Sequence, residues 1–271
     1  MGLDLAAGDW RTLAASIAGP AHAEAGQPCA DACAVRVAGP PGRELLVAVA
    51  ADGAGSWERA AEGARLACEA ILALAAERAA REGLAGFDRD LAAGWLEAVR
   101  TCLGEAAAAT GTERRAFSCT LLVALVDARR AVFLQIGDGA IVYRGRDGAY
   151  LPALWPQTGD YANTTFFVTD DDAATRLQTT TAEDVDELAL LTDGLQSLAL
   201  SFATRQAHAP FFAPMFERLR QEPPGESVGL VPELRSFLGS PDVNRRTDDD
   251  KTLVLATRLV AQAPTTGGPG G

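Results

Sequence analysis

The sequence predicts an α+β fold in which antiparallel sheets are covered by helices, and three observations carry that reading. Apolar runs of strand length follow closely at 118–126, 131–136 and 140–143, with connections too short for a crossover helix, so neighbouring strands run antiparallel. Two long stretches rich in Ala, Leu, Glu and Arg, 57–81 and 88–109, lie side by side instead of alternating with strands. The 271 residues are 48% hydrophobic and 22% charged, which gives material for a large core and excludes a disordered chain.

Taken in order, 10–17 is compatible with a short edge strand or a helical turn. Residues 19–31 form a loop by their Gly and Pro content. Strands at 32–38 and 46–51, joined through Pro40-Pro41-Gly42, form a hairpin. The helix 57–81 takes Ser56 as its N-cap, buries Trp57, Ala64, Cys68, Ile71 and Ala75 at helical spacing, and stops at Gly83. The helix 88–109 turns Leu91, Trp95, Leu96, Val99 and Leu103 to one side. After the three consecutive strands comes a loop, 154–164. Further strands are expected at 165–169, 175–181 and 187–191, helices at 196–202, 211–220 and 231–238, and a closing strand at 252–259. No internal repeat is visible. Residues 1–260 read as one domain and 261–271, Gly-rich and low in complexity, as a disordered tail.

Four apolar segments carry acid at one end. Strand 46–51 runs into Asp52-Gly53, strand 132–136 into Asp138-Gly139, and strand 188–191 into Asp193-Gly194, while Asp248-Asp249-Asp250 leads into the last strand. One Asp at a strand end is a turn residue. Four suggest strand ends converging on a shared site. Two carboxylates 4 Å apart repel by about 4 kcal/mol at an effective dielectric of about 20, so the cluster asks for a cation. An all-oxygen ligand set selects Mg²⁺, Mn²⁺ or Ca²⁺ over zinc or copper.

The formal net charge of −12 argues against a nucleic-acid backbone or an anionic membrane as the main partner. The five cysteines are odd in number and none forms Cys-x-x-Cys, which fits reduced thiols in a cytoplasmic protein. With two histidines, His22 and His208, neither completes a zinc set with Cys29 and Cys33. The N-terminus has no secretory signal pattern, and no apolar stretch reaches membrane-spanning length without a charge.

Seven short blocks, in one order, resemble the metal-dependent type-2C Ser/Thr protein phosphatases, and in particular their bacterial branch. They are Cys29-Ala30-Asp31-Ala32, Val49 to Ser56 with Asp52-Gly53 inside it, Ser118-Cys119-Thr120-Leu121, Ile136-Gly137-Asp138-Gly139, Gly159 to Thr165, Leu191-Thr192-Asp193-Gly194 and Asp249-Asp250-Lys251-Thr252-Leu253. The resemblance implies a sandwich of two antiparallel β-sheets flanked by helices, with a cluster of two Mg²⁺ or Mn²⁺ ions at one end. It implies that Asp52 bridges the ions and the Gly53 carbonyl faces one of them. Asp193 and Asp249 would complete the other, Asp138 would help hold a third, and Asp31 would orient water. The implied activity is hydrolysis of phosphoserine and phosphothreonine by a metal-bridged water, with a Ser/Thr kinase or its targets as partners.

Three positions depart from the family pattern. Gly26 stands where an Arg usually binds substrate phosphate, Ala30 where an acidic residue often precedes the Asp, and Ala54 where eukaryotic members carry a His. His22 lies in the same loop as Asp31 and is a candidate phosphate ligand or general acid. These departures leave a second reading open, a non-catalytic phosphoprotein-binding scaffold of the same fold. An unrelated metal hydrolase such as a nuclease fits poorly with the acidic charge. Residues 155–165 and 197–248 are candidates for substrate-facing surface.

Overall fold

The computed structural model describes residues 10–41, 43–145, 147–157 and 165–258. The expected tail 261–271 and most of the block Gly159 to Thr165 lie outside these. In chain order the elements are β1 (Trp10–Ile17), α1 (Pro20–Glu24), β2 (Ala32–Ala38), β3 (Leu45–Ala51), α2 (Ala60–Arg81), α3 (Arg89–Thr110), β4 (Leu121–Val126), β5 (Arg130–Ile136), β6 (Ala140–Arg144) and β7 (Tyr150–Leu154). There follow α4 (Ala173–Arg176), β8 (Gln178–Glu183), β9 (Glu187–Leu191), α5 (Gln196–Ala199), β10 (Leu200–Ser201), β11 (Gln206–Ala207), α6 (Ala209–Leu219), β12 (Gly225–Glu226), α7 (Val231–Leu238), α8 (Pro241–Asn244) and β13 (Lys251–Arg258).

Two sheets stack. One has the order β12-β1-β13-β9-β6-β7 and the other β2-β3-β4-β5-β8, with every pairing antiparallel except the short β12 against β1. The alternation of side chains explains why the strands read as unbroken apolar runs. In β3, Leu45, Val47, Val49 and Ala51 meet α2 and α3, while Leu46, Ala48 and Ala50 fill the space between the sheets. In β13, Leu253 and Leu255 face the outer helices, and Val254 and Ala256 face inward. Both faces are covered, so both parities are apolar. The expected α+β sandwich flanked by helices is the observed architecture.

Several local expectations are corrected. Residues 10–17 form a strand, β1, paired along its whole length with β13. The first long helix begins at Ala60, not 57, and Ser56 does not cap it. The amide of Ala54 donates to the Ser118 carbonyl and that of Arg59 to Ala116, while those of Trp57 and Ala60 close turns onto Ala54 and Trp57, so the segment runs through turns before the helix starts. Asp88 does cap α3, accepting from the Leu91 amide at 2.9 Å, and Gly111 ends it with φ +67°. β7 was hidden by Pro152, which a central strand excludes but this edge strand tolerates. Residues 165–169 are irregular, 173–176 are helical ahead of β8, and the expected helix 196–202 stops at Ala199.

Candidate metal centre

The acidic strand ends do converge. Asp52 after β3, Asp138 between β5 and β6, and Asp193 after β9 each offer a carboxylate oxygen within 4.8 Å of the others. At that spacing each pair repels by roughly 3–4 kcal/mol at an effective dielectric of about 20. None of the three makes an ion pair among the described residues. Burial, then the neighbouring acids Asp31, Asp193, Asp249 and Asp138, pushes the Asp52 carboxyl well above its ordinary range. Asp193 is pushed up to about 8 by burial and then by Asp138, Asp249 and Asp31. Burial also raises Asp138, against a 2.5 Å hydrogen bond donated by Thr165 Oγ1.

The glycines of the Asp-Gly pairs serve close approach. A Cβ on Gly53 would lie 2.6 Å from the Ala30 carbonyl, and one on Gly194 would lie 2.0 Å from the Asp250 carbonyl. Neither has positive φ. Bare backbone at these points lets the Asp31 loop press on Asp52, and the start of β13 on Asp193. Gly53 bridges Cys119, with the ladder bonds made by the Asp52 carbonyl and the Ala54 amide, which leaves the Gly53 carbonyl outside the ladder.

Asp31 sits beneath this cluster and is almost wholly buried. Its Oδ2 accepts from Thr192 Oγ1 at 2.7 Å and from Thr252 Oγ1 at 2.8 Å, and its Oδ1 has no hydrogen-bond partner. Burial pushes Asp31 up to about 7, with the two threonine hydroxyls opposing and Asp250 adding to the rise. Asp138 Oδ1 is likewise buried without a partner. Unsatisfied buried carboxylate oxygens in an all-oxygen cluster fit hard divalent cations and their waters. Asp52, Asp138 and Asp193, with the Gly53 carbonyl, are the groups placed to hold such ions.

The two neighbouring acids at the start of β13 part company. Asp249 is exposed at the rim, close enough to raise Asp52 and Asp193. Asp250 is buried and turned the other way, accepting from the Gly19 amide at 2.7 Å and the Ala30 amide at 2.6 Å. His22, on α1, places Nδ1 2.9 Å from Asp250 Oδ1, and its ring lies against Gly55, where an added Cβ would meet Nε2 at 3.5 Å. Gly26 follows α1 with φ +66° and faces open space. The sequence reading missed Thr192 and Thr252, which hold the Asp31 carboxylate, Thr165, which holds that of Asp138, and Gln196, which donates to the Asp138 backbone carbonyl.

A family description, Protein phosphatase 2C, matches residues 18–239. The chain belongs to that family. It is 40% identical over 250 residues to Serine/threonine-protein phosphatase 3 of Escherichia coli (strain K12), covering 91% of this chain and 98% of that one. Among solved structures it superposes on the serine/threonine phosphatase Stp1 of Staphylococcus aureus with a TM-score of 0.61 at 14% identity, covering 92% and 95% of the two chains. It also superposes on the catalytic domain of the serine/threonine phosphatase PstP, which was solved with two manganese ions, at 0.56 and 20%, covering 93% and 99%. The enzyme class is therefore that of a phosphoprotein phosphatase of the 2C type.

Proposed function

We propose that the acidic mouth binds two Mg²⁺ or Mn²⁺ ions, with Asp138 helping to hold a third, and that the enzyme hydrolyses phosphoserine and phosphothreonine of proteins in the cytoplasm, opposing a Ser/Thr kinase. The observation that carries this is the convergence of Asp52, Asp138 and Asp193 within 4.8 Å, with none of them in an ion pair among the described residues. The scaffold reading is not favoured, because a binding module has no use for a set of mutually repelling, half-buried carboxylates.

In this reading Asp52 would be shared by the two ions, the Gly53 carbonyl would serve one of them, and Asp193 and the exposed Asp249 would serve the other. When bound, the ions lower the pKa of coordinated water toward neutrality and neutralise phosphoryl charge. The protein's own part is positioning. Thr192 and Thr252 lock one Asp31 oxygen, so the other is fixed in direction and accepts a hydrogen bond from the attacking water. Asp250 anchors the 19–30 loop through two amides and holds His22 beside Gly55. From there the imidazole is suited to donate to the substrate phosphate or to the departing seryl oxygen, taking over work for which this chain has no Arg at Gly26 and no His at Ala54.

Turnover of p-nitrophenyl phosphate against increasing Mn²⁺ and Mg²⁺, beside Asp52→Asn and Asp193→Asn, tests the proposal. Metal-dependent turnover lost in both variants is expected, and dephosphorylation of a phosphothreonine peptide should follow the same metal dependence. Turnover that persists in chelator or in Asp52→Asn overturns the assignment of the site. Metal binding without any turnover restores the scaffold reading.

A further inference from the structure

Asp138 stands between two glycines. Neither neighbour has a side chain to anchor it, and glycine backbone is the least constrained of any residue. The position of this carboxylate therefore comes from contacts made on the turn. Both glycines are pressed close to their neighbours. Gly137 has φ +104°, and a Cβ there would lie 2.5 Å from Thr120 Cγ2. One on Gly139 would lie 2.7 Å from Leu122 Cδ1 and 2.8 Å from the Leu191 carbonyl. Thr120 in turn holds Asp52. Its hydroxyl accepts from the Asp52 amide at 2.9 Å, and its own amide donates to the Asp52 carbonyl at 2.8 Å. The Asp138 turn thus rests on the residue that fixes the backbone of Asp52.

Glutamine side chains hold the turn from three directions. Gln135, near the end of β5 and fully buried, donates from Nε2 to the carbonyls on either side of Asp138, those of Gly137 and Gly139, each at 3.2 Å. The same nitrogen donates to the Trp155 carbonyl at 3.3 Å. Three carbonyls around one nitrogen fix which end of the amide is the NH₂, and its two hydrogens are shared among them. Gln196 donates to the carbonyl between, that of Asp138. Gln157 takes the remaining side. Its Oε1 accepts from the Gly137 amide at 2.6 Å, its own amide donates to the Gly137 carbonyl at 3.2 Å, and its Nε2 donates to the Arg176 carbonyl at 2.7 Å. Three consecutive carbonyls, 137 to 139, are each met by a side-chain amide. Gln135 shares the inward face of β5 with Phe133, where an apolar side chain would fit. An amide buried there is costly unless its hydrogens are bonded, and the bonds it makes serve this turn and the strand end beside it.

We propose that Gln135, supported by Gln157, is a positioning residue for Asp138: it sets where that carboxylate stands in the mouth, and so the affinity of the ion that Asp138 helps to hold. The proposal rests on the metal reading above. The path from amide to carboxylate is short. Asp138 Oδ2 accepts from Thr165 Oγ1 at 2.5 Å, and Oδ1 is buried without a hydrogen bond among the described residues. The side chain is thus fixed at one oxygen and the backbone at three carbonyls, which leaves Oδ1 for an ion. Both ends of the 155–165 segment are fastened to the same turn, through Trp155 and Gln157 at its start and Thr165 at its end. Loss of an outer hydrogen bond that orients a metal ligand typically costs about 10- to 100-fold in metal affinity.

Calorimetric titration of the metal-free, full-length protein with Mn²⁺ tests this on Asp138→Asn, Gln135→Met, Gln157→Leu and the combination of Asp138→Asn with Gln135→Met. Gln135→Met keeps the length of the side chain and removes both amide hydrogens. It should weaken by roughly tenfold the binding step that Asp138→Asn weakens, and Gln157→Leu should weaken that step several-fold. In the Asp138→Asn background Gln135→Met should change Mn²⁺ binding no further, because its effect passes through that carboxylate. An unchanged isotherm in Gln135→Met, with only a lowered melting temperature in chelator, would make the glutamine a packing group and overturn the proposal, leaving the metal reading intact. A loss in the combined variant as large as in Gln135→Met alone would also overturn it, since the glutamine would then act on the whole mouth. Should Gln135→Met fail to fold, Gln157→Leu, at a half-buried position, carries the test, and an unchanged isotherm there overturns the proposal. Mn²⁺ binding untouched by Asp138→Asn would instead fail the reading of Asp138 as a ligand, and the positioning role would fall with it.

Discussion

Two regions of this molecule bury carboxylates, and they do so in opposite ways. Glu187, at the start of β9, is 1% exposed. It accepts from Arg220 Nε at 2.7 Å and from Tyr150 Oη at 2.6 Å, and lies 3.7 Å from an Arg144 nitrogen. At the far end of the same strand, Asp193 joins Asp52 and Asp138 within 4.8 Å, and none of the three makes an ion pair among the described residues. One strand thus begins in a carboxylate the protein has satisfied for itself and ends in one it leaves unsatisfied. A satisfied buried charge serves the architecture. An unsatisfied cluster is stable only when something from solution completes it, and that marks the working end of the sandwich.

The sharpest way to break this contrast is to neutralise one member of each region. Asp52→Asn should cut metal-dependent turnover by more than about 100-fold, while the melting temperature measured in chelator rises or holds, because a repulsion has gone. Glu187→Gln should do the reverse. It leaves Arg144 and Arg220 without their partner and should cost about 3 kcal/mol in urea unfolding, the low end for a broken buried pair, since both arginines keep about a third of their surface in water. Turnover per folded molecule should be unchanged. Loss of stability in Asp52→Asn matching that in Glu187→Gln would erase the distinction.

The same contrast has a pH dependence. Asp31 and Asp193 have folded values raised to about 7 and about 8, against an ordinary carboxyl near 3.8. Between those limits the folded, metal-free chain holds more protons than the unfolded one, so its stability falls as pH rises from about 4 to 8. Bound cations remove the need for those protons. Melting curves from pH 5 to 8 should therefore decline in chelator and should flatten or rise in Mn²⁺, so that the stabilisation by metal is greatest at pH 8. Equal slopes in the two conditions would mean that the mouth is not where the ions bind.

Asp249 and Asp250 repeat the contrast on neighbouring residues, and they show how far the sequence could be read. The strand-end acids were legible because strand periodicity and Asp-Gly pairs are local signals, and the sheet order brings these ends together. What separates Asp249 from Asp250 was out of reach of the sequence, because Asp250 is claimed by the Gly19 and Ala30 amides, more than 200 residues away in the chain. Thr192 and Thr252 were hidden for the same reason, since their meeting with Asp31 is made by β9 and β13 lying side by side. Residues 165–169 misled because Thr-Phe-Phe-Val-Thr has strand composition, yet the Cys119 carbonyl takes the Val168 amide and Asp170 Oδ2 takes that of Phe167, closing a turn. Asp249→Asn should weaken Mn²⁺ binding by about tenfold or more with stability intact. Asp250→Asn should leave Mn²⁺ affinity within a few-fold and lower stability by about 1–3 kcal/mol, the cost of weakening two buried hydrogen bonds to a charge.

The smallest effect expected is at His22. Its Nδ1 faces Asp250 and its other edge lies against Gly55, three residues past Asp52, so the ring is fixed by contacts on both sides. A group so held can serve the departing oxygen, or it can merely pin α1 to β13. The two roles separate by leaving group. p-Nitrophenolate leaves without needing a proton, whereas a seryl or threonyl alkoxide does not. His22→Gln should therefore leave turnover of p-nitrophenyl phosphate within about twofold, and slow hydrolysis of a phosphothreonine peptide by roughly 10- to 100-fold in kcat with KM little changed. A role in binding phosphate would instead raise KM for both substrates alike. Equal, small losses in kcat for both, with a lowered melting temperature, would assign His22 to the architecture alongside Glu187.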